Sequence, residues 1–149
     1  MSTPTAGPTG PLPADAFAAL MREVMSGADR FGHRQHVELA WRAVRAYGTT
    51  AAVDLVGAGI DRTATAAGAP QKFHVTMTRA WVELVGVRLA AEGEAEAADG
   101  FDGFAARHPE LFDAALLHRH YRPETLADDT ARTSWVAPDL APLSGGPTA

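Results

Sequence analysis

An all-α domain is the fold that three features of the sequence predict. Apolar residues recur at three- and four-residue spacing in four long stretches, glycine and proline punctuate them, and no run alternates well enough to make a strand. The expected architecture is a single bundle of about five to six helices. The 149-residue chain is 46% hydrophobic and 21% charged, the composition of one ordinary globular domain. At that length a fold buries roughly 68–70% of the surface its unfolded chain exposes, so neither disulfides nor a structural metal is required.

Met1 to Pro13 contains four prolines and two glycines with little apolar matter, so residues 1–13 are expected to be a disordered tail. Residues 144–149, SGGPTA, have the same character, which places the helical domain at 14–143. Phe17, Leu20, Met21, Val24 and Met25 lie on one face of a first helix over 14–25, stopped by Gly27. Val37, Ala40, Trp41 and Val44 mark a second helix that ends before Gly48. Thr49 or Thr50 caps a third, whose stripe is Val53, Val56 and Ile60 and whose end is Gly68. Gly57 and Gly59 weaken that helix, and the spacing suggests that they admit a close neighbour.

Phe73, Met77, Trp81, Leu84, Val85 and Leu89 give the strongest periodicity and predict a central fourth helix over 71–91. The acidic run EGEAEAADG reads as a solvated loop. Phe101 and Phe104 predict a short helix ending near Arg107, and His108-Pro109 a restart whose face is Leu111, Phe112, Ala115 and Leu116, running to about Tyr121. A last turn over Asp129 to Ser134 is capped by Asp128, and VAPDLAPL forms an extended segment that packs back on the bundle. Trp41 and Trp81 belong to apolar stripes, whereas Trp135 is expected to anchor the C-terminal segment with Asp139 near its indole N–H.

Composition excludes several kinds of chemistry. The absence of cysteine removes thiolate nucleophiles, zinc–thiolate sites and iron–sulfur clusters. With 13 Lys+Arg against 18 Asp+Glu the net charge is −5, which argues against a nucleic-acid footprint. Lys72 is the one lysine among many arginines and alanines, a bias of GC-rich codon usage. No apolar stretch is long enough to span a membrane, and the first thirteen residues lack the features of a signal peptide, so a cytoplasmic protein is expected. Dinucleotide, P-loop and nucleophile-elbow motifs are absent, and the serines and carboxylates show neither a triad nor a glycosidase pair.

Six histidines are left to explain. His33 and His36 are three apart and share a helical face. His74 opens the fourth helix with Thr78 and Trp81 further along its face. Should those helices be neighbours, His33, His36 and His74 would form a three-imidazole shell for a divalent first-row metal such as zinc, or an acid–base set. Against this, H-x-x-H pairs arise by chance, and the helical zinc signature H-x-x-x-H with its glutamate is missing. The competing expectation is that a ring N–H simply donates to a carbonyl. The positive end of a helix favours neutral imidazoles at these positions.

In LLHRHYRPE, only one of His118 and His120 can face inward; His120, Tyr121 and Glu124 are candidates to complete a pocket, while His118 and Arg119 suit the surface near a helix C-terminus. His108 reads as the neighbour of Pro109.

FGHRQHVELAW, KFHVTMTRAW, HRHYRPETL and WVAPDLAPL, in that order from Phe31 to Leu143, resemble a group of short all-helical bacterial proteins that carries no assigned activity. The resemblance rests on His33 and His36, on His74, Thr78 and Trp81, and on Pro138, Asp139 and Leu140. Arg122 departs from the small hydroxyl residue expected after Tyr121, and implies a changed polar network there.

The functional expectation is a small protein with a His-lined pocket for a small molecule or metal, acting as an accessory metabolic enzyme or a binding protein. Its candidate catalytic residues are His33, His36, His74, Thr78, His120 and Tyr121, and its metal ligands His33, His36 and His74. The alternative is a non-catalytic structural or regulatory module that forms a homodimer through the Val53, Val56, Ile60 stripe beside Gly57 and Gly59.

Overall fold

Pro13 occupies the first helical position, where its missing N–H leaves no intrahelical bond unmade, and α1 (Pro13–Met25) begins there. The computed structural model describes residues 13–143, so the expected tails, apart from Pro13, lie outside the described residues. Among the described residues there is no strand. α2 (His33–Tyr47) and α3 (Thr49–Ala66) are joined by Gly48 alone, at φ 86°, a left-handed conformation that favours glycine and turns the chain sharply between two long helices. α4 (Val75–Ala90) packs on both, and α1 closes over α2 and α3. The predicted all-α class is the one observed.

The core is where the periodicity placed it in most positions; of the expected fourth-helix stripe, Met77 is exposed and Phe73 precedes the helix. Val37, Ala40 and Trp41 of α2, Val56 of α3, and Trp81, Leu84 and Val85 of α4 are buried with Phe17, Leu20 and Val24 of α1. Trp41 lies against Phe101 and Phe104, with ring centroids 5.5 and 6.3 Å away, which ties the later part of the chain to the same core. Among the described residues no helix is long and apolar enough to cross a membrane.

Four expectations need correction. Helix α4 begins at Val75, not Gln71. Pro70–Lys72 form a 3₁₀ turn, and His74, extended at φ −125° and ψ 112°, caps the helix by accepting from the Met77 N–H at 3.1 Å. The acidic run is not simply solvated loop: it contains the one-turn helix α5 (Glu94–Ala97) and leads into α6 (Gly100–Arg107). The helix expected beyond Pro109 is two 3₁₀ turns, Pro109–Phe112 and Ala114–Arg119. Asp113 breaks it, because its carboxylate takes the Ala115 N–H at 2.9 Å and restarts the chain.

Last, the Val53, Val56, Ile60 stripe is not a free face. Val56 is buried, Val53 and Ile60 pack against the core, and Gly59 abuts the Phe17 ring.

Two short helices, α7 (Pro123–Ala127) and α8 (Asp129–Thr133), complete the order, the second capped by Asp128 as expected. The segment after Ser134 is extended and packs back on the bundle, ending in buried Leu143. Trp135 does face the bundle, but through Arg79, whose guanidinium lies 4.1 Å from its ring centroid. Asp139 instead accepts from the Arg122 N–H at 3.1 Å and the Thr125 hydroxyl at 2.6 Å. Those contacts, the Thr125 hydroxyl first, hold its carboxyl below the usual range.

The two glycines in the middle of α3 should behave oppositely. A Cβ at Gly59 would collide with Phe17, whereas one at Gly57 meets nothing within 4 Å. Denaturant titration should show Gly59→Ala losing about 1–3 kcal/mol through overpacking. Gly57→Ala should be neutral or gain up to about 1 kcal/mol from helix propensity.

Candidate functional site

Three of the four candidate histidines, His33, His74 and His120, are held by long-range bonds to backbone carbonyls. His33, in the first turn of α2, sets its ring edge-on to Trp81 at 4.6 Å and directs Nε2 to the Leu111 carbonyl at 2.9 Å. His74 uses Nδ1 in the α4 cap and Nε2 toward the Leu126 carbonyl at 2.8 Å. His120 directs Nδ1 to the Ala141 carbonyl at 2.9 Å. A carbonyl oxygen only accepts, so the donating protons sit on Nε2 of His33 and His74 and on Nδ1 of His120. His74, with Nδ1 accepting, is thereby a neutral tautomer with both nitrogens engaged.

The three-imidazole shell is therefore not formed. Among the described residues, no group of three or more His, Asp or Glu is placed to hold a metal ion. The reason is visible at His74, whose lone pair serves its own helix and whose N–H reaches α7. His33 reaches the Pro109–Phe112 turn instead.

His36 has a different fate. Its Nε2 is shut off from solvent and has no hydrogen-bond partner among the described residues. Burial first, and the nearby His33 imidazole second, hold its pKa down at about 4. The neutral state expected from the helix N-terminus is found here, with a different main cause.

Of the other candidates, Tyr121 is fully buried and donates its hydroxyl to the Val136 carbonyl at 2.7 Å. Burial, reinforced by the Glu83 carboxylate, raises its pKa. Its hydroxyl network is intact with Arg122 following it. His120 is the inward member of its pair, and His118 is exposed. Thr78 is buried in the wall of a small cavity. The hydrogen-bonding threonine is one that sequence reasoning missed, Thr76, which donates to the Ser134 carbonyl at 2.9 Å and accepts from the Val136 N–H at 3.1 Å. Nothing in its local sequence distinguishes it from Thr78.

Glu92 was missed as well. Its side chain is 4% exposed and takes both Arg107 Nε and Nη2 at 2.8 and 3.0 Å, together with His108 Nε2 at 2.7 Å. The Arg107 hydrogen bond, first among several causes, lowers the Glu92 pKa. His108 thus hydrogen-bonds Glu92 and sets its ring at a tilt against Phe104, centroids 4.8 Å apart, beyond its expected place beside Pro109. The network fastens the acidic segment to the end of α6.

Of several concavities among the described residues, two set an arginine held over aromatic rings beside a carboxylate. The larger, about 660 Å³, is a groove between the end of α1, the first half of α2 and the α5–α6 corner. On one wall Arg34 lies 5.2 Å from the Phe101 ring centroid and 5.4 Å from that of Phe112, and its one ion pair among the described residues is with the exposed Asp102, at 3.5 Å. On the other, Arg42 is engaged by Glu38 at 2.9 Å and Glu23 at 3.4 Å. The smaller cavity, about 250 Å³, lies between the middle of α3 and the start of α4.

No family model, curated protein or solved structure matches the chain.

The depressed His36 pKa sets a pH dependence. Above about pH 6.5 the imidazole is neutral in both folded and unfolded chains, and its contribution is complete. Between 6.5 and about 4 only the unfolded chain takes up the proton, so stability falls with pH by up to about 3 kcal/mol. Urea titrations at stepped pH should show this loss, and His36→Leu should flatten it within that window. His74→Ala should lower stability by about 1–3 kcal/mol at neutral pH, because the Leu126 carbonyl and the Met77 N–H lose their partner together.

Proposed function

We propose that the protein is a cytoplasmic bacterial binding module, not an enzyme, and that it takes a small monoanionic molecule in the groove beside α2. The observation that carries this reading is Arg34. Two aromatic rings hold its guanidinium in place before any ligand arrives. Its one carboxylate contact is long and lies in solvent, with Asp102 96% exposed, so the pair contributes little. The guanidinium fork is left open to a carboxylate or phosphate ester, which it recognises in bidentate fashion.

The rest of the groove narrows the choice. Arg42 is already paired twice, and Glu23, Glu38, Asp99 and Asp102 line the same surface. A multiply charged anion would meet these carboxylates, so a single anionic group on a neutral or cationic body fits best. The acid–base alternative loses support because His33, His74, His120 and Tyr121 each have a ring nitrogen or hydroxyl engaged with a backbone carbonyl.

The test is a panel of monoanionic metabolites screened by ligand-observed NMR, followed by calorimetric titration of each binder. Arg34→Gln should weaken binding about 10- to 100-fold, the range set by one charge-assisted pair of about 1.5–3 kcal/mol. Its melting temperature should stay unchanged. A ligand bound equally well by Arg34→Gln would place the site elsewhere.

A further inference from the structure

The smaller cavity carries a second assignment, independent of Arg34 and sharing no residue with the groove. We infer that it is a site for a small zwitterion with an apolar body, the chemistry of an apolar α-amino acid.

Its interior wall is Val53, Phe73 and Val75, with the buried Thr78 beside them. Opposite charges stand at its edge. Arg79 is fixed twice, by stacking on Trp135 at 4.1 Å and by its Nε bond to Glu83 at 2.6 Å. Its terminal Nη donors make no hydrogen bond among the described residues, and they suit a carboxylate. Asp54 is exposed and in no ion pair among the described residues, so its carboxylate is available to an ammonium group. A ligand with only a carboxylate would meet Asp54 without compensation, and one with only an ammonium would meet Arg79. A zwitterion satisfies both.

Gly57 gives the site its space. Mid-helix glycine costs roughly 0.5–1 kcal/mol against alanine, and here neither backbone nor packing asks for it. Its φ is not positive, and a Cβ there meets nothing within 4 Å. Gly59, two residues on, is required by Phe17; Gly57 faces open volume in the cavity wall. At about 250 Å³ the cavity lies below the roughly 300–1,000 Å³ of drug-sized sites and matches a ligand of amino-acid size.

The experiment is a titration of the ¹⁵N-labelled full chain with L-leucine and L-phenylalanine, beside isocaproate and isoamylamine as single-charge analogues of leucine. At least one amino acid should give saturable shifts at the amides of Gly57, Ala58 and Thr78. Either analogue should bind at least about tenfold more weakly, the consequence of one lost charge pair. Gly57→Leu should fill the cavity and abolish the shifts at an equal or higher melting temperature. Asp54→Asn, exposed and harmless to the fold, should weaken binding about tenfold. Arg34→Gln should leave it intact, which separates this site from the groove. Absence of saturable shifts with both amino acids at millimolar concentration would overturn the assignment. So would equal binding of the analogues, binding that survives in a folded Gly57→Leu, or full affinity in Asp54→Asn.

Discussion

The constraint on which the structure depends is the satisfaction of backbone carbonyls in a region that lacks long helices. From Pro109 onward the chain is built of 3₁₀ turns, two one-turn helices and an extended segment. Such pieces leave most of their carbonyls without the partner that a continuing helix would supply, and burying them unpaired would be costly. The donors come from side chains. His33 of α2 and His74 at the α4 cap serve Leu111 and Leu126, and His120 and Tyr121 serve Ala141 and Val136. Thr76 completes the set, donating to Ser134 and receiving from Val136. The His33, His74 and Thr76 bonds span 52 to 78 residues and form only when the long helices and the irregular half come together, whereas His120 and Tyr121 tie the irregular half to itself.

This arrangement also explains why imidazole suits the task. A neutral ring presents one donor on a rigid, flat, largely apolar body, so it can pack against Trp81 or in the core and still satisfy a carbonyl. His36 lies on the same helix, three residues from His33, but its Nε2 has no partner among the described residues. Of the two neighbours, one ties α2 to the rest of the chain and the other makes its burial dependent on proton concentration. Adjacent identical side chains therefore contribute through different physics, direct bonding in one case and desolvation in the other.

The long helices were legible because their signal is local. In α1 to α4 the apolar period, the glycine stops and Gly48 follow from neighbours within a few residues, and the expected core agrees with the observed one except at Phe73 and the exposed Met77. The histidines were legible as residue types with something to do. Their role was not, because a backbone carbonyl at Leu111 or Leu126 carries no mark in the sequence that it lacks a donor. The same limit hid Glu92, whose local context is a run of solvated carboxylates and whose partners, Arg107 and His108, lie 15 and 16 residues away. Thr76 and Thr78 lie on one helix with indistinguishable surroundings, and only the tertiary approach of Ser134 and Val136 separates them. The break at Asp113 had a local cause, an Asx-type bond to Ala115, yet the apolar face of Leu111, Phe112 and Leu116 outweighed it.

A consequence follows for where binding can occur. Groups held in clasps cannot exchange a carbonyl for a ligand without loosening the irregular half, so ligand contacts fall to side chains that the fold positions without consuming. Arg34 and Arg79 share this property: each guanidinium rests on aromatic rings, with donors that the backbone does not take. Arg88 and Arg107, by contrast, are drawn into carboxylates, and Arg42, though 5.7 Å from the Trp41 ring centroid, is held by both Glu38 and Glu23. Stacking fixes a cation while leaving its hydrogen-bonding edge free, whereas an ion pair uses that edge. What separates them is how many guanidinium nitrogens stay unbonded: the terminal Nη groups of Arg79 make no hydrogen bond among the described residues, whereas Arg107 gives Nε and both Nη groups to Glu92, Asp99 and the Glu96 carbonyl.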